Sequence, residues 1–163
     1  YGCTSGTIAS GYELIYKKIN SVKPNTKVTT PITSAINALK ALKINKLSLF
    51  TPYTSEINQS VANYFIKAGM EISELSYFNI ASDIDIGKVD VNYLFDLLVK
   101  MEISNNEALF VSCTALPVMS IIEDLEKKIG KIVLSSNQTL IWDTLQQIKF
   151  KEKISGYGEL FKN

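Results

Sequence analysis

The chain has 163 residues, of which 46% are hydrophobic and 20% are charged, a balance typical of one folded globular domain rather than of a disordered segment. Its 17 basic and 16 acidic residues leave a formal net charge of +1, and the lysines are scattered, which argues against a nucleic-acid-binding surface. The sequence has no histidine, which excludes Ser-His-Asp and Cys-His catalysis, and its 2 cysteines are too few for a structural zinc site. Small molecules are therefore the expected partners.

Membrane association and disulfide stapling are also disfavoured by the sequence. No apolar run reaches the roughly 18 residues that a membrane-spanning helix needs, and no basic-then-apolar leader opens the chain. A single pair of cysteines is too few to staple a chain of this size. We therefore expect a soluble, cytoplasmic protein with reduced thiols and no membrane partner.

Predicted strands and helices alternate along the chain. Short segments rich in β-branched and aromatic residues predict buried strands at 47–51, 108–112 and 131–135, with a weaker strand at 27–30. Apolar residues at helical spacing predict helices at 8–19, 32–42, 55–68, 91–101, 118–129 and 139–148. Because a crossover between parallel strands normally needs a helix, this alternation predicts an α/β fold with parallel sheets covered by helices.

The two cysteine segments resemble each other beyond the cysteine itself. Cys3 and Cys113 each precede a threonine and a predicted helix, after which a strand-like segment and a second helix follow in both copies. We interpret this pattern as an internal duplication that gives two pseudo-symmetric halves; the alternative is a chance likeness of two βα units. The first copy has no strand before Cys3, so we expect further residues to precede Tyr1 and the N-terminal half to be incomplete in this chain.

The same comparison suggests how the chain is organised. We interpret residues 1–163 as a single α/β domain that lacks its N-terminal strand or strands. Residues 1–45 are the remnant of the first repeat, residues 46–148 form the second half, and residues 149–163 are a C-terminal extension.

A cysteine at the start of a helix can be activated by its position, which replaces the activating histidine that this chain lacks. Free backbone N–H groups and the helix dipole lower the thiol pKa and favour the thiolate. The same N–H groups, with the hydroxyls of Thr4, Ser5 and Thr114, would form a cradle for a carboxylate. Two facing thiols suit racemisation, cis–trans isomerisation or decarboxylation beside a carboxylate. The alternatives are that both cysteines are small buried core residues, or that they form a reversible disulfide.

Several motifs follow one another over most of the chain. They are YGCTSGT at 1–7, TPY at 51–53, VSCT at 111–114 and SSNQTLIW at 135–142, the last being the most specific. Together they resemble the aspartate/glutamate racemase superfamily, and within it the maleate cis–trans isomerase and arylmalonate decarboxylase branch. The resemblance implies two similar α/β halves with the site between them and no cofactor. On physical grounds alone, Asn137 is predicted to be the N-cap of the helix that follows.

The resemblance also implies roles for individual residues. Cys3 would be the nucleophile that adds to a substrate double bond, and Cys113 the partner thiol on the opposite face. The substrate carboxylates would be held by Thr4, Ser5, Tyr53 and Thr114. In the decarboxylases the position of Cys3 is a glycine, so cysteine at both positions favours an isomerase or a racemase.

One position departs from the family pattern. Family isomerases bind substrate through an asparagine in the segment that looks equivalent to residues 81–87, where this chain has Asp83. An ionised aspartate repels a dicarboxylate, so either the alignment is shifted here or the substrate is not maleate. We keep Asp83 among the predicted substrate-binding residues.

The sequence thus predicts a cofactor-independent isomerase or racemase that acts on a small carboxylate or dicarboxylate through two facing cysteines, in the manner of maleate isomerase. The alternatives are a decarboxylase of malonate-type acids in the same superfamily and an inactive protein that binds carboxylates. Whether the chain forms a homodimer is left open by the sequence.

Overall fold

The computed structural model describes residues 1–101, 103 and 108–162. The helices are α1 (Thr4–Ser10), α2 (Tyr12–Val22), α3 (Pro31–Ala41), α4 (Ser55–Lys67), α5 (Asp83–Ile86), α6 (Val91–Val99), α7 (Ile122–Ile129) and α8 (Ser136–Gln147). The strands are β1 (Lys46–Thr51), β2 (Glu71–Tyr77), β3 (Ala108–Val111) and β4 (Ile132–Ser135). Short 3₁₀ turns cover Met119–Ile121 and Glu159–Lys162.

Within the described residues, the strands form one parallel, 4-stranded sheet in the order β2-β1-β3-β4. The central strands β1 and β3 are buried almost throughout, because helices cover both faces of the sheet. Phe65 of α4 packs edge-on against Phe110 of β3, with ring centroids 5.0 Å apart. The predicted α/β class, with a parallel sheet covered by helices, is confirmed.

Most of the strand predictions agree with the structure, and one is wrong. The segments predicted at 47–51, 108–112 and 131–135 correspond to β1, β3 and β4. Residues 27–30 are not a strand; the carbonyl of Thr29 instead accepts a hydrogen bond from the backbone nitrogen of Tyr1 at 3.0 Å. The sheet's remaining strand is β2, which was not predicted from the sequence. It lies at the sheet edge and carries polar residues, so it has no continuous apolar run to mark it.

The helix predictions need two corrections at the cysteine segments. The helix predicted at 8–19 is divided by Gly11, whose φ of 79° favours glycine, into α1 and α2. The helix predicted at 118–129 begins only at Ile122, after a 3₁₀ turn. Residues 1–45 contain helices and no strand, so the first cysteine segment has no counterpart of β4, which lies between α7 and α8 in the second. The internal duplication stays a prediction.

The sheet brings several loops together at one edge. In a parallel sheet the carboxyl ends of neighbouring strands lie side by side. The loop after β1, the loop after β3 and the beginning of α8 after β4 therefore meet at this edge.

Among the described residues, no helix has both the length and the apolar character required to cross a membrane.

Candidate active site

Cys113 lies just beyond the carboxyl end of β3 in a left-handed backbone conformation with φ of 89°. Its side chain is buried, with an exposed fraction of 4%. Its backbone N–H donates to the hydroxyl of Ser136, the first residue of α8, at 3.1 Å. No helix starts here, because the left-handed turn is followed by irregular chain as far as Met119. The predicted helix start at Cys113 is therefore wrong.

Burial raises the pKa of the Cys113 thiol, opposite to the direction expected for a cysteine at a helix start. Hydrogen bonds to the sulfur from the Tyr53 hydroxyl and from the N–H groups of Ala115 and Leu116 partly offset this effect. The negative charge of Asp83 adds a smaller upward shift of the pKa. Cys113 is consequently a protonated thiol at neutral pH.

Cys3 does lie at a helix start, as predicted. It is the N-cap of α1, and its sulfur accepts the N–H of Gly6 at 3.2 Å. The Ser5 hydroxyl lies 3.6 Å from the same sulfur. A backbone N–H directed at sulfur stabilises negative charge on it. Half-buried Cys3 and buried Cys113 are both free thiols, so the structure contains no disulfide between them.

Polar contacts join the two cysteine loops to each other. The Thr114 hydroxyl donates to the Gly2 carbonyl at 2.7 Å. The Thr4 hydroxyl is buried and lies 3.1 Å from the hydroxyl of Ser136, which also accepts the Cys113 N–H. The residues that follow the two cysteines are therefore held against one another, although they are far apart in the sequence.

Tyr53, in the loop after β1, brings its hydroxyl to this cluster. The side chain is 5% exposed, and its hydroxyl interacts with Cys113 and Thr4. Burial raises the pKa of the Tyr53 phenol well above its ordinary value, so Tyr53 remains a hydrogen-bond donor. The buried Ser112 hydroxyl lies close enough to the Tyr53 phenol to lower its pKa, but the effect of burial is larger.

Asn58 of α4 fixes the loop that carries Tyr53. Its side-chain amide donates to the Tyr53 carbonyl at 3.0 Å and accepts a hydrogen bond from the Thr51 hydroxyl. Asn58 is buried, so both contacts are shielded from water. Asn58 was not predictable from the sequence, because a single polar residue in a helical pattern carries no local signal of its partners.

The SSNQ motif forms the first turn of α8. Ser135 is the N-cap and shares a capping box with Gln138, so the N-cap predicted at Asn137 is wrong. Asn137 instead donates from its side-chain amide to the Thr114 carbonyl at 2.9 Å. Ser136 contacts Cys113 and Thr4, which was not predicted from the sequence. The spacing of Ser135 and Gln138 was a readable signal for the capping box.

Asp83 lies at the margin of the cluster. It is the first residue of α5 and is exposed to solvent, yet its charge acts on Cys113. The structure thus gathers six of the predicted site residues around the two cysteine loops and leaves Asp83 at their edge. Those six are Cys3, Thr4, Ser5, Tyr53, Cys113 and Thr114.

An open groove of about 400 Å³ runs between α1 and the start of α4. Its lining includes Ser5 and Gly6, so it adjoins the Cys3 loop, and apolar contributions come from Ile8 and Ile57. Neither cysteine lines the groove.

Within the described ranges there is no group of three or more Cys, Asp or Glu residues arranged to hold a metal ion.

The structure is that of an α/β protein in which two cysteine loops are joined by hydrogen bonds at the carboxyl edge of a parallel sheet. The profile of the arylmalonate decarboxylase family matches residues 13–161, and the chain belongs to this family.

Curated relatives carry two activities in their names. The chain is 22% identical to a maleate isomerase of Geobacillus stearothermophilus, over 98% of this chain and 67% of that protein. It is 26% identical to an arylmalonate decarboxylase of Bordetella bronchiseptica, over 82% of this chain and 57% of that protein. The chain thus spans between 57% and 67% of the length of these two relatives.

Solved structures share the fold. A cysteine-to-alanine variant of the maleate isomerase Iso from Pseudomonas putida S16 with maleate superimposes with a TM-score of 0.93 at 20% identity, covering 99% of this chain and 68% of that one. A cysteine-to-serine variant of the Nocardia farcinica maleate cis–trans isomerase, with a covalently bound succinylcysteine intermediate, gives a TM-score of 0.92 at 19% identity, covering 99% and 69%. A liganded arylmalonate decarboxylase variant gives 0.87 at 24% identity, covering 98% and 70%.

Proposed function

We propose that the protein is a cofactor-independent isomerase that acts on a small unsaturated carboxylate through Cys3 and Cys113. The observation that carries this proposal is the contact between the two cysteine loops, through Thr114 and Gly2 and through Thr4 and Ser136. The maleate isomerases among the relatives support the reaction class. The whole protein is a cytoplasmic enzyme under this proposal.

The two cysteines divide the reaction between them. The Cys3 thiolate adds to one alkene carbon and forms a C–S bond, while the Cys113 thiol gives its proton to the neighbouring carbon. The resulting single bond rotates. The Cys113 sulfur then takes a proton back from the carbon, the C–S bond breaks, and the double bond re-forms in the trans geometry. The raised pKa of Cys113 suits a proton donor, and the succinylcysteine seen in the Nocardia farcinica enzyme has the structure expected of such an adduct.

Hydroxyl groups around the cysteines would bind the substrate carboxylate. Ser5 would present its hydroxyl and Tyr53 its protonated phenol beside Cys113, while Thr4 and Thr114, whose hydroxyls contact Ser136 and Gly2, would present backbone N–H donors. Such donors hold the reacting carbons in place and stabilise negative charge that spreads into the carboxylate after thiolate addition.

Asp83 narrows the class of substrate. Its exposed carboxylate at the rim repels a second carboxylate and favours an amide or a protonated amine at the far end of the substrate. We therefore expect the monoamide of maleate to be turned over with a higher kcat/KM than maleate itself. An Asp83→Asn variant should shift this preference toward maleate by about tenfold, and equal preference in both proteins would exclude Asp83 from substrate recognition.

The decisive experiment replaces each cysteine by serine in the full-length protein. Cis-to-trans conversion of maleate and of its monoamide is followed by proton NMR. Each single variant should lose activity by a factor on the order of 10³ or more. Wild-type turnover that survives both Cys3→Ser and Cys113→Ser would reject the mechanism.

Decarboxylation of a malonate-type acid is the second candidate, and the match to the arylmalonate decarboxylase family favours it. In that reaction one thiol protonates the carbanion left after CO₂ departs. Carbon dioxide release from phenylmalonate would identify it. Binding of dicarboxylates by calorimetry, without any product, would instead indicate an inactive carboxylate-binding protein.

The assembly and the internal organisation belong to the same proposal. We take the enzyme to be a homodimer, which light scattering coupled to size-exclusion chromatography would test. Residues 1–45, 46–148 and 149–163 are taken as the first-repeat remnant, the second half and the C-terminal extension.

A further inference from the structure

Ser136 occupies an unusual position for a serine at a helix start. It is the first residue of α8 and is completely buried. The capping of α8 is done by Ser135, whose hydroxyl accepts the Gln138 N–H at 3.2 Å. The Ser136 hydroxyl is therefore not needed by its own helix, and it is directed instead toward the two cysteine loops.

The hydroxyl of Ser136 makes one contact to each loop. It accepts the backbone N–H of Cys113 at 3.1 Å, and it lies 3.1 Å from the Thr4 hydroxyl. A hydroxyl has one proton to donate and can also accept, so the N–H of Cys113 and the hydroxyl of Thr4 can be satisfied together. Both contacts are buried, where removing one partner leaves the other polar group without water.

The contact to Cys113 falls on a strained residue. A φ of 89° is unfavourable for a residue with a side chain, and such conformations persist only where neighbouring groups hold them. The bond from Cys113 N–H to Ser136 is one such restraint. With the backbone turned in this way, the N–H groups of Ala115 and Leu116 reach the Cys113 sulfur.

We propose that Ser136 is a positioning residue for Cys113, which holds the left-handed backbone that directs two amide groups at the sulfur and ties this loop to Thr4. The inference rests on the proposed function for its catalytic meaning. The reactivity of Cys113 can nevertheless be measured without any turnover.

The test measures alkylation of Cys113 as a function of pH in a Cys3→Ser background, where Cys113 is the single remaining cysteine. Iodoacetamide is the probe, and intact-protein mass spectrometry is the readout. In Ser136→Ala the amide groups lose their aim at the sulfur while burial persists. We expect the midpoint to rise by about one pH unit and the rate at neutral pH to fall about tenfold. Tyr53 and Asp83, the titratable groups that act on Cys113, are present in both proteins.

Ser34→Ala in the same background is the matched control. Ser34 is equally buried and loses a hydrogen bond of 2.7 Å to Asp143, but it has no contact with the cysteine loops. It should leave the midpoint of Cys113 unchanged. If Ser136→Ala and Ser34→Ala give the same midpoint and rate, the proposal is overturned.

A second variant covers the case in which Ser136→Ala does not fold. Ser136→Thr keeps the hydroxyl oxygen and adds one methyl group. We expect its midpoint to match that of the Cys3→Ser background. A folded Ser136→Thr protein whose alkylation midpoint is raised by about one pH unit would also overturn the proposal. The hydroxyl would then be present without holding the pKa of Cys113 down.

If alkylation responds as expected but the enzyme shows no turnover, the proposed function fails and the positioning role of Ser136 stands. If turnover is found and alkylation does not respond, the proposed function stands and the role of Ser136 is rejected. The two outcomes are therefore separable.

Discussion

The hydroxyl of Thr114 donates to the carbonyl of Gly2 across 2.7 Å, which joins positions 112 residues apart in the sequence. Because Thr114 follows Cys113 and Gly2 precedes Cys3, this bond connects the two cysteine loops directly. Asn137 holds the other side of Thr114 by donating to its carbonyl at 2.9 Å. The mutual placement of the loops thus depends on a short chain of polar contacts that begins at α8.

Thr114→Val should lower activity without unfolding the protein. Valine keeps the shape of threonine and removes the donor to Gly2, so the two loops lose one of their direct contacts. We expect kcat/KM for cis-to-trans isomerisation to fall about tenfold. The melting temperature should change little because Thr114 is partly exposed. Thr144→Val, an exposed threonine of α8 outside the loops, is the control. Equal activity of the two variants would contradict the link.

Tyr53→Phe should affect kcat more than stability. Phenylalanine fills the same volume and deletes only the hydroxyl beside Cys113. We expect kcat to fall between about tenfold and one-hundredfold, because a buried donor to the reacting groups is lost. Steady-state kinetics on maleate or its monoamide provide the measurement. The control is Tyr64→Phe in α4, a half-buried tyrosine outside the cluster. A wild-type kcat in Tyr53→Phe would remove the hydroxyl from the mechanism.

Gly6→Ala should disable Cys3 while the fold survives. A Cβ at this position would lie 3.0 Å from the Cys3 sulfur and 2.6 Å from the Tyr1 hydroxyl. The Tyr1 hydroxyl must shift and the Cys3 sulfur must give way slightly, although alanine in a helix is intrinsically favourable by about 0.5–1 kcal/mol over glycine. We expect slower alkylation of Cys3 in a Cys113→Ser background and a loss of turnover. Gly87→Ala, where the added Cβ meets its neighbours at 3.6 Å or more, should change neither quantity.

Glu126→Ala should release the C-terminal segment. The Glu126 carboxylate accepts the N–H of Val133 in β4 at 3.0 Å and the N–H of Glu159 at 2.8 Å. Its loss removes the carboxylate that accepts both N–H groups, so we expect the free energy of unfolding in urea to fall by about 2–4 kcal/mol. Proteolysis within 149–162 should also accelerate. Glu123→Ala removes ion pairs to Lys127 and Lys162 at the surface and should cost less than about 1 kcal/mol.

Stability should fall at alkaline pH through Cys113. Burial raises the pKa of its thiol in the folded protein, whereas in the unfolded chain the pKa is about 8.5. The unfolded state therefore loses its proton first. The stabilising contribution is complete below about pH 8.5 and is lost as the pH rises through the folded value. Thermal unfolding between about pH 8 and 10 should show a smaller decline in Cys113→Ser, and an identical decline would exclude Cys113 as its source.

The parts of the fold that bury long apolar runs were predictable. The segments that became β1, β3 and β4 read as strands because helices cover both faces of the sheet. The strand β2 lies at an edge and carries Glu71 and Glu74 among its apolar residues, so periodicity alone did not mark it. Residues 27–30 have the composition of a strand, but strand pairing is non-local, and composition cannot supply the partner.

The site was predictable where a local rule applied. Cys3 caps α1 as its position before Thr4 suggested, because N-capping depends on adjacent residues. The left-handed backbone at Cys113 and the contacts of Ser136 and Asn58 depend on residues brought together by the sheet. The sequence around Cys113 resembles that around Cys3, yet Cys3 is a half-buried helix N-cap, whereas Cys113 is buried in a left-handed turn.

The side-chain amide of Gln138 has two partners in different parts of the molecule. It accepts the Ser135 N–H at 3.3 Å in the capping box and donates to the Tyr157 carbonyl at 2.6 Å. The C-terminal segment 149–162 is therefore held by the same side chain that caps the first turn of α8, and this turn contacts both cysteine loops. A substitution that detaches the Tyr157 carbonyl from Gln138 would therefore weaken a turn whose other contacts reach both cysteine loops, although Tyr157 itself touches neither cysteine.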